Sequence, residues 1–361
     1  MKQTILILLL IVFGCSQNKQ ENKIKFSFKP GEIIFIDSTK IDEDGSAFNF
    51  VLNPKIYQDT LLVFGDGSFS AMHLYQTLTG ERIHYFSNST SKDYPLPTSG
   101  FSNALIQGDS IFLLNVMLNK ILIFNFEGDY LNEIKLNNKE NSFVLNYLPF
   151  FERINDSFFI SRRLDESMQE NYRAGKMLAK FSSSGSFKKS FGSYPDKYSE
   201  GGLALVKGEN VVRKGDKLYI VNPVGVSILK EFNLDGELLN FYEFESEYFD
   251  PTLYYFEGSP FDSPLLDQFL SLATDSNSKE RIFYLAYTHF KNRDQILGQE
   301  TFRFMLMKID LEENTIKEAE LLGFWHYNEL RSLLREVNGD TLTLMVRGFD
   351  ENLYLKRFLF D

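Results

Sequence analysis

The stretch GDSIFLLNVMLNKILIFNFEGDYLNEIKL, residues 108–136, decides how the rest of the chain is read. A Gly108-Asp109 turn leads into the apolar run 111–114. A second apolar run, 120–126, ends in the turn Glu127-Gly128-Asp129. A third run, 130–136, alternates apolar and polar residues. Such runs have the length of strands rather than helices, and their aromatic and β-branched residues suit a pleated surface. The turns have a mechanism: a tight hairpin needs positive φ, which Gly, Asn and Asp tolerate.

The unit recurs. One copy has Gly215-Asp216, runs 218–221 and 226–234, the turn Asp235-Gly236, and 238–244. Another has Asn155-Asp156, runs 158–161 and 177–181, Ser184-Gly185, and 187–191. Fainter copies begin at Asp59, with Thr79-Gly80 as the second turn, near Lys279-Glu280, and at Gly339-Asp340. The anchors 59, 109, 156, 216, 280 and 340 stand 50, 47, 60, 64 and 60 residues apart. Short strands at that period define an all-β radial array, a β-propeller of about six blades over residues 24–361. A β-sandwich or a pair of stacked β-domains competes with this reading. No linker rich in Pro, Gly or Ser divides the chain, which favours one closed ring.

The sixth unit stops one strand short, at Phe360. An N-terminal strand, 24–28 or 32–36, is expected to supply the missing outer strand and hide two sheet edges that are otherwise liabilities. Helical spacing at Leu265, Leu266, Phe269 and Leu270, and again at Leu330, Leu333 and Leu334, predicts two short helices between blades.

The chain opens with Lys2 and a nine-residue apolar run, 5–13, followed by Gly14 and Cys15, the sole cysteine. That run is too short to span a bilayer, which takes about 20 apolar residues, and fits the core of an export signal. Val12-Phe13-Gly14-Cys15 resembles the lipobox of bacterial lipoproteins, with Phe13 departing from the small or aliphatic residue usual there. The resemblance implies cleavage before Cys15, diacylation of its thiol and acylation of the new amino terminus, palmitate among the chains. Residues 16–23 hold no apolar material to bury and form a flexible tether. The expectation is a monomer held to the cell envelope by lipid. The outer membrane is the expected site, with both of its leaflets left open.

The chain has 49 acidic and 38 basic side chains, net −11; loss of residues 1–14 removes only Lys2 and leaves −12. Nucleic-acid binding needs a basic footprint, which is absent. A single cysteine permits no intramolecular disulfide. Phe (36) and Tyr (18) are abundant, but most fall in the apolar strand runs and read as core rather than as a carbohydrate platform.

Lipobox, length and six degenerate units together resemble the envelope lipoproteins of Gram-negative bacteria grouped as domain of unknown function 4221. The resemblance covers nearly the whole chain. It implies a six-bladed propeller and brings no catalytic residues.

Chemistry leaves few marks. His73, His84, His289 and His326 form no metal-binding pattern, and no cofactor is expected. Gly100-Phe101-Ser102-Asn103-Ala104 approaches a nucleophile elbow but lacks its final glycine. Asp42-Glu43-Asp44-Gly45-Ser46 resembles half of a calcium loop, with Asn53 where the bidentate Glu belongs. Asp59-Thr60-Leu61, Asp109-Ser110-Ile111 and Asp340-Thr341-Leu342 resemble a bacterial O-glycosylation triplet that tight turns also generate by chance. Two functional classes remain. One is a non-enzymatic binding or scaffold lipoprotein with a glycan, peptide or envelope-protein partner. The other is a propeller hydrolase or lyase acting on glycans through a carboxylate pair near the axis.

In an up-and-down blade the tight turns share one end of the ring. The long second-to-third loops and the inter-blade crossings share the other, where binding groups are expected. There Arg162, Arg163, Tyr172, Arg173, His289 and Arg293 gather, and Arg347 occupies the matching loop of the sixth unit. These residues are the candidate site for an anionic or carboxylate-bearing ligand.

Overall fold

Positive backbone φ falls where the repeating turns place it. Between the first and second strands of a blade it occurs at Gln58, Gly108, Asn155, Gly215 and Gly339. Between the third and fourth it occurs at Gly80, Gly128, Gly185, Gly236 and Asn314. These hairpins build the ring. The structure, a computed structural model, describes residues 25–43, 51–58, 60–66, 71–86, 102–137, 143–145, 150–164, 168–200, 210–252, 267–290, 302–321, 334–348, 350 and 352–361.

Two N-terminal strands, β1 (Ser27–Pro30) and β2 (Ile33–Lys40), precede the blades. Blade 1 comprises β3 (Val51–Tyr57), β4 (Leu61–Asp66), β5 (Ala71–Gln76) and β6 (Arg82–Phe86). Blade 2 comprises β7 (Asn103–Gln107), β8 (Ser110–Asn115), β9 (Lys120–Asn125) and β10 (Tyr130–Lys135). Blade 3 has β11 (Phe143–Leu145) and β12 (Phe151–Ile154) side by side along β13 (Ser157–Leu164), then β14 (Lys176–Ser182) and β15 (Phe187–Ser193). Blade 4 comprises β16 (Asn210–Lys214), β17 (Lys217–Val221), β18 (Ile228–Asn233) and β19 (Leu238–Glu243). Blade 5 comprises β20 (Gln268–Ala273), β21 (Ile282–Phe290), β22 (Phe302–Asp310) and β23 (Thr315–Glu320). Blade 6 has β24 (Leu334–Asn338), β25 (Thr341–Arg347) and β26 (Leu353–Phe360). The chain folds as a six-bladed β-propeller.

Second and third strands are apolar on both faces because each face meets a neighbouring blade, so they lack strict alternation. The buried apolar side chains form six clusters among the described residues, one per blade-to-blade interface. The last joins Ile41, Leu62, Phe64 and Tyr75 to Met345, Leu353 and Leu355, sealing blade 6 against blade 1.

Closure uses the expected end of the chain, with a longer strand than the sequence suggested. β2 pairs antiparallel with β26 over Ile33↔Phe360 to Lys40↔Tyr354, with a bulge between Phe35 and Asp37. The earlier stretch goes elsewhere: β1 adds in parallel to β23 as a fifth strand of blade 5. Where a sixth outer turn would lie, the chain ends meet instead. Glu32 and Asp361 exchange both backbone hydrogen bonds at 3.0 Å. Arg357 on β26 knits the seam, donating to Asp37 Oδ1 (2.7 Å), Thr39 Oγ1 (3.2 Å) and, in blade 1, the Thr77 carbonyl (3.0 Å).

The predicted inter-blade helices give way to strands where they are described. Phe269 and Leu270 lie in β20, and Leu334 opens β24; Leu265, Leu266, Leu330 and Leu333 lie outside the described residues. Innermost strands are short apolar runs, in which helical spacing arises without a helix. A helix does occur at Met168–Ala174, in the second-to-third connection of blade 3.

Candidate functional site

The innermost strand of each blade turns its unpaired edge to the ring axis. Around that axis lies a cavity of about 550 Å³, walled by residues of β3, β12, β16, β20 and β24. Its polar side chains include Lys55 and Tyr57 from blade 1, Glu152 from blade 3, Arg213 from blade 4, and Thr274 and Asn277 from blade 5. Tyr57, Gly215 and Asn277 adjoin first-to-second turns. The cavity therefore occupies the tight-turn half of the channel, opposite the end that carries the long loops.

Lys55 reaches from blade 1 to blade 3, to the Phe151 carbonyl (2.8 Å) and to Glu152 Oε1 (3.5 Å). Tyr57 donates its hydroxyl to the Ala104 carbonyl (3.2 Å), tying blade 1 to blade 2. Burial first, and the Glu152 carboxylate second, push the Tyr57 phenol well above its ordinary range, so it stays a neutral donor. Arg213 bonds the Gly215 carbonyl through Nε (2.9 Å). Two cations face one carboxylate among the described walls, in a chain of net charge −11. The carboxylate pair that axial glycan hydrolysis needs has one described member, Glu152, and that member is engaged by Lys55. Asp275, near the rim, accepts backbone N–H bonds from Gly339, Asn277 and Ser278 and serves the turn.

The residues singled out from the sequence are spread over three blades. Arg162 is buried and donates to Ser190 Oγ (2.9 Å) within blade 3. Arg163 is exposed on β13, in register with Val144. Tyr172 packs in the core against Tyr194 and Tyr198, ring centres 5.3 Å away. Arg173 pairs with Glu170 (2.7 Å) on its own helix. Arg347 ends β25, half-buried and in register with Leu353. Arg293 and Cys15 lie outside the described residues.

His289 has the most built surroundings of the set. Its Nδ1 meets Asp267 Oδ2 at 3.0 Å. The buried Asp267 carboxylate also accepts the Phe290 N–H (2.9 Å) and the Asp250 N–H (2.9 Å). Tyr248 stands edge-on to the imidazole at 6.1 Å. A carboxylate on Nδ1 makes that nitrogen the donor. The same bonds staple the entry of β20 to the end of β21 and to the preceding crossing. No group of three metal-ligating side chains occurs among the described residues.

The cavity residues went unnoticed in the sequence because innermost strands are its faintest elements. A signal was present: charged residues interrupt the run just before a first turn, in Lys55-Ile56-Tyr57, Glu152-Arg153 and Arg213-Lys214.

A closed ring with an axial cavity defines the class, a six-bladed propeller. No family model matches the chain, and no curated protein matches it. Solved structures do. A member of the domain of unknown function 4221 family from Bacteroides vulgatus superposes with a TM-score of 0.62 and 12% identity, over 92% of this chain and 98% of that one. A protein of Bacteroides fragilis named as exported superposes with a TM-score of 0.61 and 10% identity, over 94% and 100%. The likeness is one of fold, and it is the fold that the sequence resemblance implied.

Proposed function

We propose that the protein is an exported, lipid-anchored envelope protein whose propeller binds an anionic ligand, a glycan or peptide carrying carboxylates, in the axial cavity. The observation that carries this reading is the cavity itself, which sets Lys55 and Arg213 against the single described wall carboxylate, Glu152. Arginine suits carboxylates because its planar fork matches them. The export signal and Cys15 support envelope anchoring, and a protein of the same fold is named as exported. Binding is favoured over glycan hydrolysis because Glu152 is committed to Lys55. The arginines at the loop end remain a second candidate surface for the same ligand class. The test is a thermal-shift panel of uronic-acid oligosaccharides and short acidic peptides. A hit on the wild type should vanish in Arg213→Gln and weaken in Lys55→Met. A hit that both variants retain, and that Arg163→Ala with Arg293→Ala abolishes, would move the site to the loop end.

A further inference from the structure

The outer edge strands differ in how much apolar surface they expose. β6, β10 and β19 each expose one large apolar side chain, Ile83, Leu131 and Leu239, next to Arg82, Asn132 and Asn240. The outer edge strand β2 exposes three in succession: Ile34 (47%), Phe35 (55%) and Ile36 (44%). Leu359, register partner of Ile34, adds 39%, and Phe28 on the neighbouring β1 adds 41%. Five of the eleven exposed large apolar side chains among the described residues thus share one rim. Exposed Lys25, Lys29 and Lys40 lie on or beside the same strands, against Glu32, Asp37 and Asp361; Arg357 pairs with Asp37 and Lys317 with Asp361. Large apolar side chains left exposed together on edge strands mark an interaction surface.

We propose that this rim of blades 5 and 6 lies against the lipid bilayer, its apolar side chains entering the headgroup boundary and its lysines meeting anionic lipid. The chain outside the described residues argues for this occupant. Cys15 precedes Ser27 by 12 residues. Twelve residues reach at most about 40 Å. The anchor therefore holds this rim within about 40 Å of the membrane, and at such effective concentration a weak surface suffices. Shallow burial of an apolar face flanked by lysines is the geometry of interfacial binding. The proposal rests on the anchoring reading for what brings the rim to the bilayer.

The experiment supplies the anchor chemically, so the two can fail separately. The mature chain is coupled through Cys15 to a maleimide lipid in phosphatidylethanolamine–phosphatidylglycerol vesicles containing brominated chains. Tryptophan reporters are placed by Phe35→Trp or Leu131→Trp in a Trp325→Phe background. The two sites are matched in exposure, 55% and 53%. The Phe35→Trp reporter should lose most of its emission to the bromines, and the Leu131→Trp reporter little. Adding Ile34→Glu and Ile36→Glu should restore the emission. Equal quenching of the two reporters, or none at either, overturns the proposal, as does dimer formation that shields the Phe35→Trp reporter instead. Palmitate labelling of Cys15 in cells tests the anchor by itself: its failure removes that reading and leaves the vesicle result standing.

Discussion

Gly80→Ala should cost far more than Gly108→Ala, although both glycines sit in tight turns at positive φ, +73° and +57°. At Gly108 an added Cβ meets nothing within 4 Å. At Gly80 it would stand 1.8 Å from the Lys40 carbonyl oxygen, at the end of β2. Blade 1 leans on the closing strand through this turn, and Asp42 N–H donates to the Gly80 carbonyl (2.9 Å). Gly185 repeats the contact one interface on: its Cβ would lie 2.0 Å from the Lys135 carbonyl, and Asn137 N–H donates to its carbonyl (2.8 Å). Left-handed conformation costs an alanine roughly 1–2 kcal/mol, and this is the whole cost at Gly108. At Gly80 the Lys40 carbonyl must also retreat by more than a bond length. Losing the Asp42 bond adds about 1 kcal/mol, and disturbed packing brings the total to about 3–4 kcal/mol. At roughly 2 °C per kcal/mol for a chain of this size, the Tm falls by about 3 °C for Gly108→Ala and about 7 °C for Gly80→Ala. Calorimetric melts of the two variants measure the difference. Equal falls would mean that β2 does not press on blade 1, and the closure argument would be wrong.

Other expectations follow from buried polar groups and from the anchor. Burial first, then Arg82, holds the His73 imidazole down to about 3, where the ring stacks with Phe64 and Tyr75 and lies tilted against Tyr85. Its folded value lies below the unfolded 6.5, so stability is full above pH 6.5 and is lost as pH falls towards 3. By pH 5 the loss is about 2 kcal/mol, and His73→Phe should flatten that part of a urea-denaturation pH series. Glu231 is fully buried and accepts bonds from Lys217, Asn240 (3.1 Å) and Tyr242 (2.6 Å). Glu231→Ala should cost about 3 kcal/mol by leaving those donors unsatisfied, with Lys217→Met in the same background recovering part of it by denaturant melts. Cys15→Ala should move the protein from the membrane to the soluble envelope fraction on fractionation; unchanged partition would contradict acylation as the anchor.

Local chemistry decides which parts of this molecule can be read from its sequence. The second, third and fourth strands of a blade carry long runs bounded by turns whose φ demands are visible in Gly-Asp, Asn-Asp and Asp-Gly. Blades 2, 3 and 4 were accordingly legible strand by strand. The innermost strands were not. β12 has four residues and β16 five, and no period distinguishes them. The helix expected through Phe269 and Leu270 fell there for that reason. The closing strand was foreseen because the sixth unit lacked a partner, yet the parallel addition of β1 to blade 5 has no local signature. The axial cavity belongs to the same blind region, since Lys55, Glu152 and Arg213 come from three distant innermost strands and only ring geometry gathers them. The loop-end arginines were chosen by topology, which located their end of the ring but not their partners. Ser190 takes Arg162, Glu170 takes Arg173, and Tyr172 enters the core.

Ring closure by β2 completes blade 6 and forms the exposed rim, so it is the claim to test first. Amide hydrogen exchange of the mature protein, read on peptides covering 33–40 and 353–360, measures it directly. Paired over seven residue positions with β26, the β2 amides that bond β26 should be protected as strongly as those of β26 itself, exchanging only when the whole ring opens. Exchange of 33–40 within seconds while 353–360 stays protected would show a frayed terminus and an open ring, and would contradict the account.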